Sequence, residues 1–198
     1  DYGYPHLAGV FEFLKHKKPK AAQKLALINV DAHLDVRPVG ELGIGSGSPF
    51  FLALEAGIIQ GKNFVEFGIQ EHCNDSSYLK YAQKKSVKII RKDAATIAQF
   101  KKILQAFSRQ GFKIVVSFDV DAVAMAFAPG VSAPQAEGFT SSEFLEMAAA
   151  SGQCADVLSI GFFEYSPPLD REQMTCRLVA TAIHRFVSGL TRRRVKKI

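Results

Sequence analysis

Short, continuous apolar runs alternate with longer amphipathic stretches along this chain, and that alternation limits the folds open to it. The runs are Leu25–Val30, Asn63–Gly68, Val87–Ile90, Lys113–Phe118 and Val157–Phe162. A strand with one wet face alternates apolar and polar residues, whereas a strand covered on both faces reads as an unbroken apolar run. The stretches between them carry helical signals. His6 to Lys15 sets Leu7, Val10, Phe11 and Leu14 on one stripe, and Ser48-Pro49 opens a second helix that Gly61 closes. Ala95 to Gln110 repeats Ile97, Phe100, Ile103, Leu104 and Phe107 before stopping at Gly111. Thr140-Ser-Ser-Glu143 is a capping box ahead of Phe144 and Leu145. Asp170 caps a last helix with Met174, Leu178, Ile183, Phe186 and Val187 inward, ending near Gly189. Strand–helix alternation of this kind predicts an α/β fold, a three-layer α/β/α sandwich around a mainly parallel sheet. One domain is expected over residues 1–190, followed by a basic tail over 191–198.

Composition narrows the function classes. A bilayer span needs about 20 consecutive apolar residues, and the longest apolar run, Pro49 to Ile59, is broken by Glu55. The opening Asp1-Tyr-Gly-Tyr-Pro5 lacks the layout of a signal peptide. Three cysteines, Cys73, Cys154 and Cys176, lie far apart and form no CxxC pair, which points to a reducing cytoplasm. The net charge of +6 is concentrated in Arg192–Lys197 and in the Lys15–Lys24 region, neither with aromatic residues interleaved for base stacking. Nucleic acid and membrane are therefore not expected as partners.

The chemistry gathers at two strand exits. In a parallel sheet, ligands collect at the carboxyl ends of the strands. Leu25–Val30 runs into Asp31-Ala-His-Leu-Asp35, and Lys113–Phe118 runs into Asp119-Val-Asp121. An aspartate after a buried strand also serves as a simple turn or helix cap, so either segment alone leaves both readings open. Together they place four carboxylates and an imidazole at neighbouring strand ends. Clustered carboxylates repel one another unless a cation neutralises them. Oxygen ligands with an imidazole and no thiolate suit Mn²⁺ better than a structural zinc.

Asp31-Ala-His-Leu-Asp35, then Ser117-Phe-Asp-Val-Asp-Ala122, then Gly161-Phe-Phe-Glu-Tyr-Ser-Pro167 resemble the ordered signature motifs of the ureohydrolase family: arginase, agmatinase and formimidoylglutamase. The resemblance covers essentially the whole chain and implies an arginase-like fold. It implies two Mn²⁺ ions bridged by Asp31 and Asp119, with Asp35 on one ion and His33 and Asp121 on the other. Glu164 would face the amidine-like carbon of a small-molecule substrate. Asp35 would also pass a proton to the leaving amine. The family's sixth ligand is a histidine in a Gly-Gly-x-His segment, and Asp1 matches the residue just after it. Either that ligand and the first strands lie upstream in a longer protein, or this form is truncated at the metal site; by itself the chain should hold the Asp35-side ion poorly and be impaired or inactive as an enzyme. Trimers or hexamers are implied as well.

Within the family, the loop Gly45-Ser-Gly-Ser-Pro-Phe50 puts Ser46 where arginases and agmatinases carry a histidine. Arg37 after the first motif and Ala128-Pro-Gly-Val-Ser-Ala-Pro134 are likewise similar to formimidoylglutamase. The implied reaction is hydrolysis of N-formimino-L-glutamate to L-glutamate and formamide, a step of histidine breakdown. Arg37 would clamp a substrate carboxylate; an ion pair with Glu41 is its plainer reading. Gln70 and Asn74 either line the mouth or bond their own loop, and His6, His72 and His184 are assigned to no metal. The alternatives are agmatinase or another guanidine hydrolase, and a non-catalytic metal-binding or interaction domain.

Overall fold

The structure, a computed structural model, describes residues 3–22, 24–40 and 43–193. Each apolar run is a strand: β1 (Leu25–Val30), β2 (Phe64–Ile69), β3 (Lys88–Arg91), β4 (Lys113–Asp119) and β5 (Val157–Phe163). They form one sheet in the order β3-β2-β1-β4-β5, with every neighbouring pair parallel. β1 is buried at all six positions, as an unbroken apolar run requires.

The side-chain period of two then sorts each central strand between two cores. Ala26, Ile28 and Val30 of β1 join Ile114, Val116 and Phe118 of β4 on one face of the sheet. Leu25 and Leu27 join Val115 on the other. The first face is covered by α5 (Ile97–Arg109), α6 (Ser141–Gln153) and α7 (Met174–Leu190), and the second by α1 (Gly3–Lys17), α3 (Pro49–Glu55) and α4 (Ser76–Lys84). A short α2 (Pro19–Ala22) leads into β1. This is the three-layer sandwich expected. On the first face an aromatic chain runs through Phe139, Phe67, Phe100, Phe118 and Phe144, with ring centroids 5.3 to 6.4 Å apart. Each such pair adds about 0.5–1.5 kcal/mol beyond the area it buries.

Two local capping signals held, while Ser48 precedes α3 without a side-chain cap bond. Thr140 and Glu143 form the reciprocal capping box of α6, and the Asp170 carboxylate accepts the amides of Thr175 and Cys176 near the start of α7. Periodicity passed over α4, whose only fully buried residue is Ala82 and whose start is fixed by Asp75 accepting the Ser77 amide at 2.7 Å.

Two expectations are corrected. The helix opened by Ser48-Pro49 ends at Glu55, well before Gly61, because Gly57 turns the chain away at φ +68°. Gly61 instead starts a 3-10 turn against the Lys85 carbonyl, which a Cβ would meet at 1.9 Å. In α7, Met174, Ile183 and Val187 are 41%, 47% and 50% exposed, while Thr175, Leu178, Ala182 and Gly189 are buried. The close approach of α6 explains this rotation. A Cβ on Gly189 would meet the Ala149 carbonyl at 2.7 Å, and one on Gly152 would meet the Phe186 carbonyl at 2.1 Å. Small residues facing backbone therefore outweigh the apolar stripe. Of the expected tail, residues 194–198 lie outside the described residues, as do Asp1 and Glu41. Arg193 is docked, its Nε donating to the Gly152 carbonyl at 2.7 Å.

Candidate metal centre

Because all strands run the same way, β1 and β4, adjacent in the sheet, deliver their carboxyl ends side by side. Asp31 follows β1 directly, with its amide donating to the Phe67 carbonyl at 3.1 Å. Asp119 is the last residue of β4. Asn74 clasps the first loop, its Oδ1 accepting the Leu34 amide at 2.9 Å and its Nδ2 donating to the carbonyls of Ala32 and Gln70. Gly68, at φ +104°, is a necessity there: a Cβ would meet the Phe139 ring at 2.5 Å and the Asp31 carbonyl at 3.3 Å.

Ligand atoms of Asp31, His33 and Asp121 lie within 4.8 Å of one another, and so do those of Asp31, Asp35 and Asp119. The structure thus joins all five predicted metal residues into two groups that share Asp31. Asp119 falls in one group only, its Oδ1 being taken by the Asp121 amide at 2.9 Å. Asp31 Oδ1 accepts the His33 amide at 2.7 Å, and His33 Nδ1 sits 2.9 Å from Asp121 Oδ2. Asp31, Asp119 and Asp121 are 1%, 3% and 3% exposed.

The electrostatics is that of a cluster short of positive charge. Burial first, then the Asp121 charge, raises Asp31 to about 6 despite His33. Asp35 and Asp119 are pushed well above the usual carboxylate range by burial and then by surrounding acids. For His33, burial works against the imidazolium, yet hydrogen bonds and charge from Asp121 and Asp31 prevail and lift its pKa to about 11. The proton on His33 occupies the place of positive charge that divalent cations would take. Asp121 Oδ1 is buried with no hydrogen-bond partner among the described residues. Such an orphaned acceptor inside an acidic cluster fits a cation.

Above this floor opens a cavity of about 140 Å³ lined by His33, Asp35, Asp119, Asp121, Arg37, Ser46 and Glu164, among others. Every predicted catalytic and substrate-facing residue is therefore at one mouth, with Asp31 beneath. Asp35 and Glu164 share a further property: both are non-glycine residues in the left-handed region, at φ 49° and 61°. That conformation costs of order 1–3 kcal/mol and persists where the surroundings enforce it. Asp35 is held through its carbonyl, which accepts the Phe50 amide at 3.1 Å as α3 begins. Glu164 is held by Ser132, whose Oγ donates to Oε2 at 2.8 Å, and by the Ser166 amide, which donates to the Gly130 carbonyl at 2.8 Å.

Arg37 is exposed, its amide donating to the Gly47 carbonyl at 2.8 Å and its guanidinium lying over Gly47, where a Cβ would come within 3.3 Å of Cζ. It has no carboxylate partner among the described residues. Asn74 both bonds its loop and lines the cavity, whereas Gln70 donates to the Glu137 carbonyl and lines nothing there. His6 and His72 bond Ser159 and Gln135, away from the acids, and His184 is exposed on α7. Sequence reasoning did not assign Cys73, Tyr78 or Ser132 to the mouth. Only Ser132 carried a signal, as part of the Ala128–Pro134 segment. The three cysteines are free thiols, and no helix among the described residues is long and apolar enough to cross a membrane.

Comparison with known proteins places this geometry. Formimidoylglutamase of Bacillus subtilis (strain 168) is 32% identical over 169 residues, 83% of this chain and 53% of that protein. Formimidoylglutamase of Staphylococcus aureus (strain JH9) is 29% identical over 188 residues, 93% of this chain and 59% of that protein. The chain thus spans little more than half the length of these relatives. The crystal structure of the B. subtilis enzyme superposes with a TM-score of 0.87 at 29% identity, over 98% of this chain and 59% of that one. A Trypanosoma cruzi formiminoglutamase crystallised with Mn²⁺ gives 0.83 at 28%, over 97% and 64%. Residues 2–188 match the arginase family as a whole. The chain belongs to the arginase family.

Proposed function

We propose that this chain carries the site of a binuclear manganese hydrolase that cleaves N-formimino-L-glutamate to L-glutamate and formamide. The observation that carries the reading is the pair of ligand groups sharing Asp31 at the floor of a cavity that Glu164 and Arg37 face. Asp35 and Asp119 would hold one ion with Asp31, and His33 and Asp121 would hold the other with the same Asp31. Two such ions supply a water that ionises near neutral pH and neutralise charge as it attacks.

The chain's own residues do the rest. Glu164, fixed by Ser132, pairs through charge-assisted hydrogen bonds with the cationic formimino group and aims its carbon at the floor. Arg37, with no protein carboxylate beside it among the described residues, is free to take a substrate carboxylate bidentately. Ser46 lies on the same rim and offers a hydroxyl to the substrate. Water's oxygen bonds the formimino carbon, the bond from that carbon to the glutamate nitrogen breaks, and Asp35 hands the proton to the departing amine. Two formimidoylglutamase relatives and the Mn²⁺ in the T. cruzi enzyme support substrate and metal. We place the reaction in the cytoplasm as a step of histidine breakdown, in a trimer or hexamer like others of the family.

The test is product analysis with Mn²⁺-loaded full-length protein, the expected Gly-Gly-x-His segment included, on formiminoglutamate, arginine and agmatine. Formamide and glutamate in equal amounts are expected. Urea from arginine or agmatine would move the site to the guanidine branch, and Mn²⁺ binding without turnover of any of the three would favour a non-catalytic domain.

A further inference from the structure

Beneath the metal centre, a row of polar side chains crosses the middle of the sheet. Asn29 of β1 is in register with Glu66 of β2 on one side and Ser117 of β4 on the other. All three are buried, Asn29 and Glu66 to 1% and 0% exposure, among strands otherwise filled with aliphatic and aromatic residues. An acid in such a place stabilises nothing through its own burial. Its one hydrogen bond among the described residues comes from Asn29, whose Nδ2 donates to Glu66 Oε2 at 3.0 Å and to Asp31 Oδ2 at 3.0 Å. Glu66 Oε1 and Asn29 Oδ1 have no partner among the described residues.

We infer that Asn29 and Glu66 form a positioning pair that sets the orientation of Asp31, the carboxylate common to both ligand groups. The inference rests on the metal reading above and adds residues that touch neither metal nor substrate. Two acceptors on one side of the Asn29 amide admit one orientation only. A flipped amide would turn its oxygen toward two acids at once. Both Nδ2 hydrogens are thereby committed, one to each acid. Asp31 is then pinned from two directions, by Asn29 on Oδ2 and by the His33 amide on Oδ1. Each Asp31 oxygen thus accepts one hydrogen bond and keeps acceptor capacity for a cation. Without Glu66 the amide loses the second acceptor that fixes its orientation, and the hold on Asp31 loosens.

The experiment is Mn²⁺ titration of the full chain, followed by electron paramagnetic resonance and by calorimetry, on Asn29→Ala, Glu66→Met, Glu66→Gln and the Asn29→Ala/Glu66→Met double variant. Outer partners of metal ligands change affinity by about 10–100-fold. Glu66→Met is expected to weaken Mn²⁺ within that range and to alter the exchange-coupled dimanganese spectrum, although its thermal unfolding midpoint should rise with loss of the buried acid. Glu66→Gln keeps an acceptor for Asn29 and should restore both affinity and spectrum. The double variant should lose no more than Asn29→Ala alone, because Glu66 acts through Asn29. Wild-type affinity and spectrum in Glu66→Met would overturn the inference, as would losses that multiply in the double variant. If the wild-type chain takes up no Mn²⁺ at all, the metal reading itself falls and the positioning role falls with it.

Discussion

The floor and the rim of the cavity are built differently although only a few residues separate them. On the floor, Asp31, Asp119 and Asp121 are almost fully buried, and each is tied by a backbone amide or by His33. On the rim, Arg37 and Ser46 are exposed, and Arg37 is steered by little more than the shape of Gly47. Glu164 stands between the two, half-buried, with Ser132 as its one side-chain hydrogen-bond partner among the described residues and a left-handed backbone. The floor is fixed before any ligand arrives, and the acids there stay together only because cations or protons balance them. The rim is more exposed, and under the proposed function it would read the substrate. Perturbing the floor should therefore change metal binding, and perturbing the rim should change substrate handling alone.

The sharpest break is at the shared ligand. Asp31→Asn removes charge from both groups and should weaken Mn²⁺ by more than the roughly 100-fold upper range seen for outer-shell partners, measured by calorimetry. Next comes pH. His33 holds its proton to about 11, and Asp31 to about 6. Metal must displace the His33 proton at every neutral pH, so affinity should rise by at least about tenfold per unit between about pH 6 and 8, and more steeply wherever Asp35 or Asp119 also holds a proton. Below the Asp31 value a further proton competes, and the slope should steepen as pH falls. A flat profile would mean that His33 is not a ligand.

On the rim, Glu164→Gln and Arg37→Ala each remove a charge-assisted contact worth about 1.5–3 kcal/mol, or roughly 10–150-fold in rate or KM. Glu164→Gln should lower kcat/KM and Arg37→Ala should chiefly raise KM for formiminoglutamate, both with Mn²⁺ affinity unchanged. Unaltered kinetics in Arg37→Ala would remove the carboxylate clamp. The smallest effects belong to the supports. Ser132→Ala, losing one hydrogen bond to Glu164, should lower kcat/KM by about 1 kcal/mol, or roughly fivefold. If it moved Mn²⁺ affinity instead, the division between floor and rim would be wrong.

The same division explains what could be read in the sequence. Floor residues are sequence neighbours of buried strands, so Asp31, His33, Asp35, Asp119 and Asp121 announce themselves where apolar runs stop. The central strands β1, β2 and β4 were legible for the same reason, since burial on both faces leaves an unbroken apolar signature, whereas the edge strands β3 and β5 showed as apolar runs although they are only partly buried. The rim is assembled from loops far apart in the chain. Cys73, and Tyr78 in the first turn of α4, flank Asn74, which ties this segment to the loop after β1 by a contact across 40 residues. No local pattern announces such a tie. The α7 face was misread for a related reason: glycine contacts between α6 and α7 turned apolar residues outward, and helical periodicity contains no information about its partner. Asn29 and Glu66 stood in plain view, but a polar residue inside an apolar run signals nothing until its register is known.

The most direct test is stoichiometric. Metal-free full-length protein, the expected Gly-Gly-x-His segment included, is titrated with Mn²⁺ while formamide release from N-formimino-L-glutamate is followed. The account predicts no release without metal, and activity that reaches its plateau as two ions per site are filled. Full turnover by metal-free protein, or a plateau at one ion per site, would contradict it.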